Sequence, residues 1–147
     1  MSDTQPVTIL LVEDDPGHAR LIEKNLRRAN ITNTIKWVED GQKAIDYLFK
    51  NGEYANSEHG NPLLVLLDLN LPVLDGYQVL ARMKNDAHIK RIPVIMLTTT
   101  DDNQEITRCY DLGCNVYITK PVHYHQFSDA IRKIGLFLSV VRIPNGV

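Results

Sequence analysis

Leu63-Leu64-Val65-Leu66-Leu67-Asp68 is a run of five apolar side chains closed by a carboxylate. A strand apolar on both faces is the mark of a central parallel strand, covered on either side by helices. On each side of this run the chain alternates short apolar segments with stretches of helical period. Upstream, Val7-Thr8-Ile9-Leu10-Leu11-Val12 reads as a strand. Asp15-Pro16 comes next as an N-cap and first helical position, opening a helix to about Asn30 with Ala19, Leu21, Ile22 and Leu26 mostly along one side. Thr34 to Val38 is a second strand. Gly41 opens a second helix with Ala44, Ile45, Leu48 and Phe49 inward, and the polar, turn-rich stretch from Lys50 to Pro62 reads as a surface loop.

Downstream the alternation continues. Gly76 to Asn85 suits a helix with Val79, Leu80 and Met83 inward, and Pro93 to Leu97 a strand. Asp101 or Asp102 caps a helix that stops at Gly113. Val116 to Thr119 is a fifth strand, and His123 to about Val140 a last helix with Phe127, Ile131, Ile134 and Leu138 inward. Five strands each succeeded by a helix predict a doubly wound parallel sheet with right-handed crossovers.

The bulk properties agree with one ordinary globular domain. The chain has 147 residues, 44% hydrophobic and 23% charged, with a net charge of −2, so no overall field draws it to nucleic acid or an anionic membrane. No apolar run approaches the length of a membrane span and the N-terminus has no signal-peptide character, which makes the cytoplasm the expected location. Cys109 and Cys114 fit neither a redox pair nor a zinc knuckle and read as buried or half-buried free thiols.

In sheets of this kind the ligand site lies beyond the carboxyl ends of the strands, at a switch in strand order. Glu13, Asp14 and Asp15 come after the first strand, Asp68, Leu69 and Asn70 after the third, Thr98, Thr99 and Thr100 after the fourth, and Lys120-Pro121 after the fifth. Two carboxylates about 4 Å apart repel by on the order of 1–4 kcal/mol at surface-like dielectric, a cost that a divalent cation removes. An all-oxygen donor set suits Mg²⁺. Taken singly these residues have plainer roles: Asp15 as a helix cap, Thr98 as a strand-end hydroxyl, Lys120 as a solvated lysine. Asp68 is harder to dismiss, because a carboxylate at the lip of a buried sheet needs a partner.

Four blocks in order resemble the receiver domains of two-component response regulators: Leu11-Val12-Glu13-Asp14-Asp15; Leu66-Leu67-Asp68-Leu69-Asn70-Leu71-Pro72 with Asp75-Gly76; Pro93-Val94-Ile95-Met96-Leu97-Thr98; and Tyr117-Ile118-Thr119-Lys120-Pro121. The resemblance runs from Ile9 to about Leu138. It implies a flavodoxin-like, single-domain (βα)5 fold, with residues 1–6 a flexible N-terminus, 7–140 the receiver and 141–147 a tail. More narrowly the chain resembles the small regulators that partner cyanobacterial and bacterial phytochrome histidine kinases. That likeness is carried by Leu48-Phe49-Lys50-Asn51-Gly52-Glu53-Tyr54-Ala55, Leu97-Thr98-Thr99, Cys109-Tyr110-Asp111-Leu112 and the Tyr117 to Val122 block.

The resemblance implies roles position by position. Asp68 accepts a phosphoryl group from a kinase phosphohistidine. Mg²⁺, with Mn²⁺ as a possible substitute, is held by Asp14 and Asp68, by Glu13 through water and by the Asn70 carbonyl. Lys120 contacts the phosphoryl oxygens and forms a cis bond to Pro121. Thr98 contacts the phosphoryl group and with Tyr117 makes the switch, while Asn70 and Thr100 tune dephosphorylation. The expected role is that of a phosphoacceptor signalling protein rather than an enzyme.

Rival readings fit less well. A phosphatase of the haloacid-dehalogenase type needs a second acid two residues after its nucleophile, and Asn70 stands there. An FMN binder or a P-loop protein needs a phosphate loop that is missing after the first strand. A phosphorylation-independent interaction module would normally have lost Asp68, Lys120 or an acid of the pair, and none is lost; a phosphate sink, which keeps them, stays as the alternative. Leu136, Phe137, Val140, Val141 and Ile143 are left over beyond one apolar face. They are expected to form a homodimer contact, with folding back onto the domain as the alternative. His123 and His125 are expected to cap or line the last helix. The downstream partner is not named by any motif.

Overall fold

The computed structural model of the chain describes residues 8–58, 60, 62 and 64–134. Leu64–Leu67 forms a strand whose four residues are all buried. It is flanked in sequence by an unbroken alternation. The order is β1 (Ile9–Val12), α1 (Pro16–Arg28), β2 (Ile35–Val38), α2 (Gly41–Phe49), β3 (Leu64–Leu67) and α3 (Gly76–Lys84). Then come β4 (Val94–Thr98), α4 (Asn103–Leu112), β5 (Val116–Thr119) and α5 (Tyr124–Ile134). The strands pair in parallel in the order β2-β1-β3-β4-β5, the expected doubly wound, flavodoxin-like sheet.

The continuous apolar runs result from this layering, because successive residues of a strand face opposite sides. Ile9, Leu11, Leu64, Leu66, Ile95 and Leu97 pack under α1 and α5. Leu10, Val12, Val65, Leu67, Val94 and Met96 pack under α2, α3 and α4. Order in the sheet reverses between β1 and β3, so a crevice opens where Val12 and Leu67 end their strands.

Helix starts are written locally. Asp15 accepts from the Gly17 and His18 N–H groups, Asp40 from Lys43, and Asp102, not Asp101, from Gln104. Asp75 and Gln78 form a reciprocal capping box at α3. Gly113 ends α4 with φ +106°, where a side chain is disfavoured.

Some sequence expectations are corrected. Leu21 is 47% exposed, because it lies on the flank of α1 away from Ala19, Ile22 and Leu26. α1 stops at Arg28, short of Asn30, which takes φ 66°. β4 runs one residue further than expected and includes Thr98. The stretch from Lys50 to Pro62 is not only loop: Gly52–Tyr54 makes one 3-10 turn, and Tyr54 meets Tyr47 edge-on at 5.1 Å between ring centroids. His123 and His125 are exposed and stack at 5.8 Å, ahead of and within the first turn of α5. Residues 1–7, Leu63, Leu138 and the expected dimer-contact residues Leu136, Phe137, Val140, Val141 and Ile143 lie outside the described residues. Among the described residues no helix is long and apolar enough to cross a membrane.

Candidate functional site

The strand ends deliver their polar residues to the crevice between β1 and β3 by continuing the sheet's own hydrogen bonding. Glu13 N–H donates to the Val38 carbonyl at 3.1 Å and Asp68 N–H to the Val12 carbonyl at 3.2 Å, each one residue past its strand. Lys120 N–H donates to the Thr98 carbonyl at 2.8 Å, which places the lysine beside the end of β4. The Lys120-Pro121 bond is cis. Gly76 opens α3 directly against the acceptor strand, its N–H donating to the Leu69 carbonyl at 2.9 Å. A Cβ at that position would stand 2.3 Å from the Asp68 carbonyl oxygen, so only glycine lets α3 approach.

Glu13, Asp14 and Asp68 converge, each offering a carboxylate oxygen within 4.8 Å of the others. Glu13 and Asp68 are buried, while Asp14 is exposed at the mouth. The Lys120 ammonium, 7% exposed, bonds Asp68 Oδ2 at 2.9 Å and Glu13 Oε1 more closely still. Asp68 Oδ1 accepts from the Asn70 N–H at 3.3 Å. Burial pulls Lys120 down, but hydrogen bonds to Glu13 and Asp68 outweigh it, holding the amine above its ordinary value and charged. Burial pushes the Glu13 carboxyl up, against the pull of Lys120. One ammonium therefore does not fully compensate the carboxylates it faces.

That shortfall tests whether the site suits a cation. Three carboxylates against one ammonium leave two negative charges in excess, the charge of one divalent ion. The donors are all oxygen, and the only described cysteines, Cys109 and Cys114, are buried, with thiols pushed up to about 11 and about 12 by burial. A hard divalent ion fits, and a soft one does not.

The remaining expected residues line the same rim. Thr98 is fully buried at the end of β4, its hydroxyl accepting from the Thr100 N–H at 3.4 Å. Tyr117 is half-buried, and its phenol donates to the Thr100 carbonyl at 2.5 Å. Burial, then nearby thiol and carboxylate charge, pushes that phenol up to about 12. Asn70 is exposed and Thr100 half-buried, both at the edge of the crevice.

A family model described as the response regulator receiver domain matches residues 9–132. The chain belongs to the response regulator receiver family. It is thereby a receiver of two-component signalling. The response regulator Rcp1 of Synechocystis sp. is 39% identical over 147 residues, covering 98% of this chain and 99% of that protein. The Mn²⁺-bound form of a response regulator Rcp1 superposes with a TM-score of 0.75 at 36% identity, covering 94% and 97%. The phosphorylated cyanobacterial phytochrome response regulator RcpA is 41% identical with a TM-score of 0.76, over 96% and 100% of the two chains. The bacteriophytochrome response regulator AtBRR is 39% identical with a TM-score of 0.85, over 95% and 100%.

Three contacts of this receiver site carry no signal in the sequence. The indole N–H of Trp37, the sole tryptophan, donates to the Glu13 carbonyl at 2.7 Å. His18 Nδ1 lies 3.2 Å from Lys120 Nζ. Asn25, buried in α1, donates to the Val122 carbonyl at 2.7 Å and ties that helix to the loop after Lys120. Each joins segments far apart in the chain, so neither periodicity nor a local motif announces it.

Proposed function

We propose that this receiver accepts a phosphoryl group on Asp68 from the phosphohistidine of a phytochrome-type histidine kinase, and signals by the resulting surface change. The observation that carries the reading is the Lys120 ammonium bridging Asp68 and Glu13 at the switch point of the sheet. A carboxylate oxygen of Asp68 attacks phosphorus, and the O–P bond forms as the P–N bond to the donor histidine breaks. The imidazole leaves with the electron pair and is protonated from solvent. Such a transfer asks mainly for alignment and charge compensation. Lys120 donates to the phosphoryl oxygens, and the Thr98 hydroxyl turns toward them. Asp14 and Asp68, Glu13 through water and the Asn70 carbonyl would hold Mg²⁺, or Mn²⁺ in its place. The bound ion supplies positive charge against the oxygens of the transferring group.

Thr98 and Tyr117 make the switch in this reading. The Tyr117 phenol is tied to the carbonyl of Thr100, two residues from the Thr98 hydroxyl, so a shift at Thr98 reaches the ring through one short loop. Asn70 and Thr100 flank the path of a hydrolytic water and tune how long the phosphoryl group survives. The donor must approach over the surface beside Lys120, where His18, Leu21, Ile22 and Val122 line an apolar groove. The phytochrome partnership draws on the likeness to RcpA, a phytochrome response regulator, and AtBRR, a bacteriophytochrome response regulator. A cytoplasmic homodimer joined through Leu136, Phe137, Val140, Val141 and Ile143 completes the proposal.

Label from an autophosphorylated phytochrome-type kinase is expected to move to the chain within minutes, and faster than from an unrelated histidine kinase. Label that stays on the phytochrome-type kinase contradicts the partnership. The metal has its own reporter. Titration with Mg²⁺ is expected to change Trp37 fluorescence, and Asp14→Asn to weaken the fitted affinity about tenfold or more. An unchanged affinity removes Asp14 from the ligand set.

A further inference from the structure

His18 stands at the lip of the site without belonging to any of the strand-end blocks that build it. It is the third residue of α1, and its place is set locally. Pro16 fixes the first turn, and the Asp15 carboxylate accepts from both Gly17 and His18 N–H groups, at 2.8 and 3.1 Å. The buried Asn25 bond to Val122 anchors the same helix against the loop after Lys120. The two segments are thus held in register, and His18 Nδ1 comes to 3.2 Å from Lys120 Nζ.

The donor count of the lysine decides what that contact is. A protonated lysine has three N–H groups and no lone pair. Glu13 and Asp68 each take one of them, and the remaining neighbour is His18 Nδ1 at 3.2 Å, nearer to the ammonium than to Glu13 Oε2 at 3.8 Å. An ammonium has only donors to offer, so the part open to Nδ1 in this contact is that of acceptor. The three acceptors come from the end of β1, the end of β3 and the first turn of α1. Together they fix the ammonium in three directions rather than two. With the third acceptor gone, that N–H would be left to water at the mouth of the groove, and the ammonium would be free to settle on Glu13.

We propose that His18 is a positioning residue for phosphoryl transfer, a hydrogen-bond acceptor that holds Lys120 over Asp68. The inference rests on the phosphoacceptor reading of Asp68 and adds to it a residue that never touches the phosphoryl group. What matters is the acceptor, neither the ring nor a charge. Asparagine can place its Oδ1 where Nδ1 stands, whereas leucine fills the space with no lone pair.

The test is the rate of phosphorylation by acetyl phosphate with Mg²⁺, monitored by intact mass, in wild type, His18→Leu, His18→Ala and His18→Asn. His18→Leu and His18→Ala are expected to be about fivefold slower, since one charge-assisted bond is lost and water replaces part of it. His18→Asn is expected to return to within about twofold of wild type. Mg²⁺ affinity read from Trp37 should stay within about twofold in all three, because no carboxylate is removed. A leucine variant as fast as wild type, an asparagine variant as slow as leucine, or a metal affinity that falls in step with the rate overturns the proposal. Any of these with a normally labelled wild type leaves the phosphoacceptor reading intact. A wild type that takes no phosphoryl group overturns both.

Discussion

Lys120→Met is expected to slow phosphorylation by acetyl phosphate by about 100-fold or more, the size of effect typical when a preorganised donor to a developing charge is removed. The same substitution is expected to tighten Mg²⁺ binding several-fold, because it deletes the positive charge closest to the carboxylates. Slower chemistry with stronger metal binding is an unusual pairing, and it separates a role in transfer from one in which Lys120 merely stabilises the fold. Stability changes too, with a definite dependence on pH. In the wild type the Lys120 value is raised, so its contribution is fully present below the ordinary lysine range and is lost only as pH rises through the folded value. It is intact at neutrality. Without the ammonium, Glu13 loses the partner that pulls against its burial, and its folded value rises further above the ordinary one. The variant therefore loses stability as pH climbs above the ordinary carboxylate range, because the unfolded chain gives up that proton more readily than the folded one. Denaturation at pH 5 and at pH 7 should show the gap from wild type widening toward pH 7, to about 3 kcal/mol. A constant gap, or weaker metal binding, contradicts the assignment.

Gly76→Ala is expected to destabilise the protein by about 3 kcal/mol or more, lowering the melting temperature by roughly 10 °C. The added Cβ would meet the Asp68 carbonyl oxygen at 2.3 Å, Leu69 Cα at 2.8 Å and Asp68 C at 3.1 Å. All three are backbone atoms, so no rotamer change relieves the clash. Either α3 lifts from the sheet or the acceptor strand end is pushed aside, and the second outcome also impairs the metal site. Gly60→Ala is the internal control, since nothing lies within 4 Å of a Cβ there, and it should melt within about 1 °C of wild type. Equal melting of the two variants would mean that α3 does not bear on Asp68 as described.

The sheet was legible because its strands are buried on both faces, which leaves unbroken runs such as Leu64–Leu67 that no surface element would carry. The positions of Glu13, Asp14, Asp68, Thr98 and Lys120 were legible for a related reason: in a parallel sheet, the residues after every strand land on the same edge. Helix caps were local enough to read, Asp15 and Gly113 among them. The contacts that escaped depend on atoms brought together from distant segments. Leu21 was grouped with the inward residues of α1 for its apolar side chain, yet two residues on from Ala19 the helical turn carries it to the outer side, beside the groove. Gly76 looked like a helix start, and only the fold shows that it is the contact point with Asp68. Val73 takes φ 70°, a conformation costly for a branched side chain, within a turn that pins Gly41 to the Pro72 carbonyl. No pattern in the surrounding residues announces Val73 or the His18 and Trp37 contacts.

Asp68 is proposed to carry the phosphoryl group. Incubation with acetyl phosphate and Mg²⁺, intact mass and peptide mapping test it most directly. A single phosphoryl group per chain is expected on Asp68, with none in Asp68→Asn and none when the metal is chelated. A wild type that gains no mass, or an Asp68→Asn variant that gains as much, contradicts it.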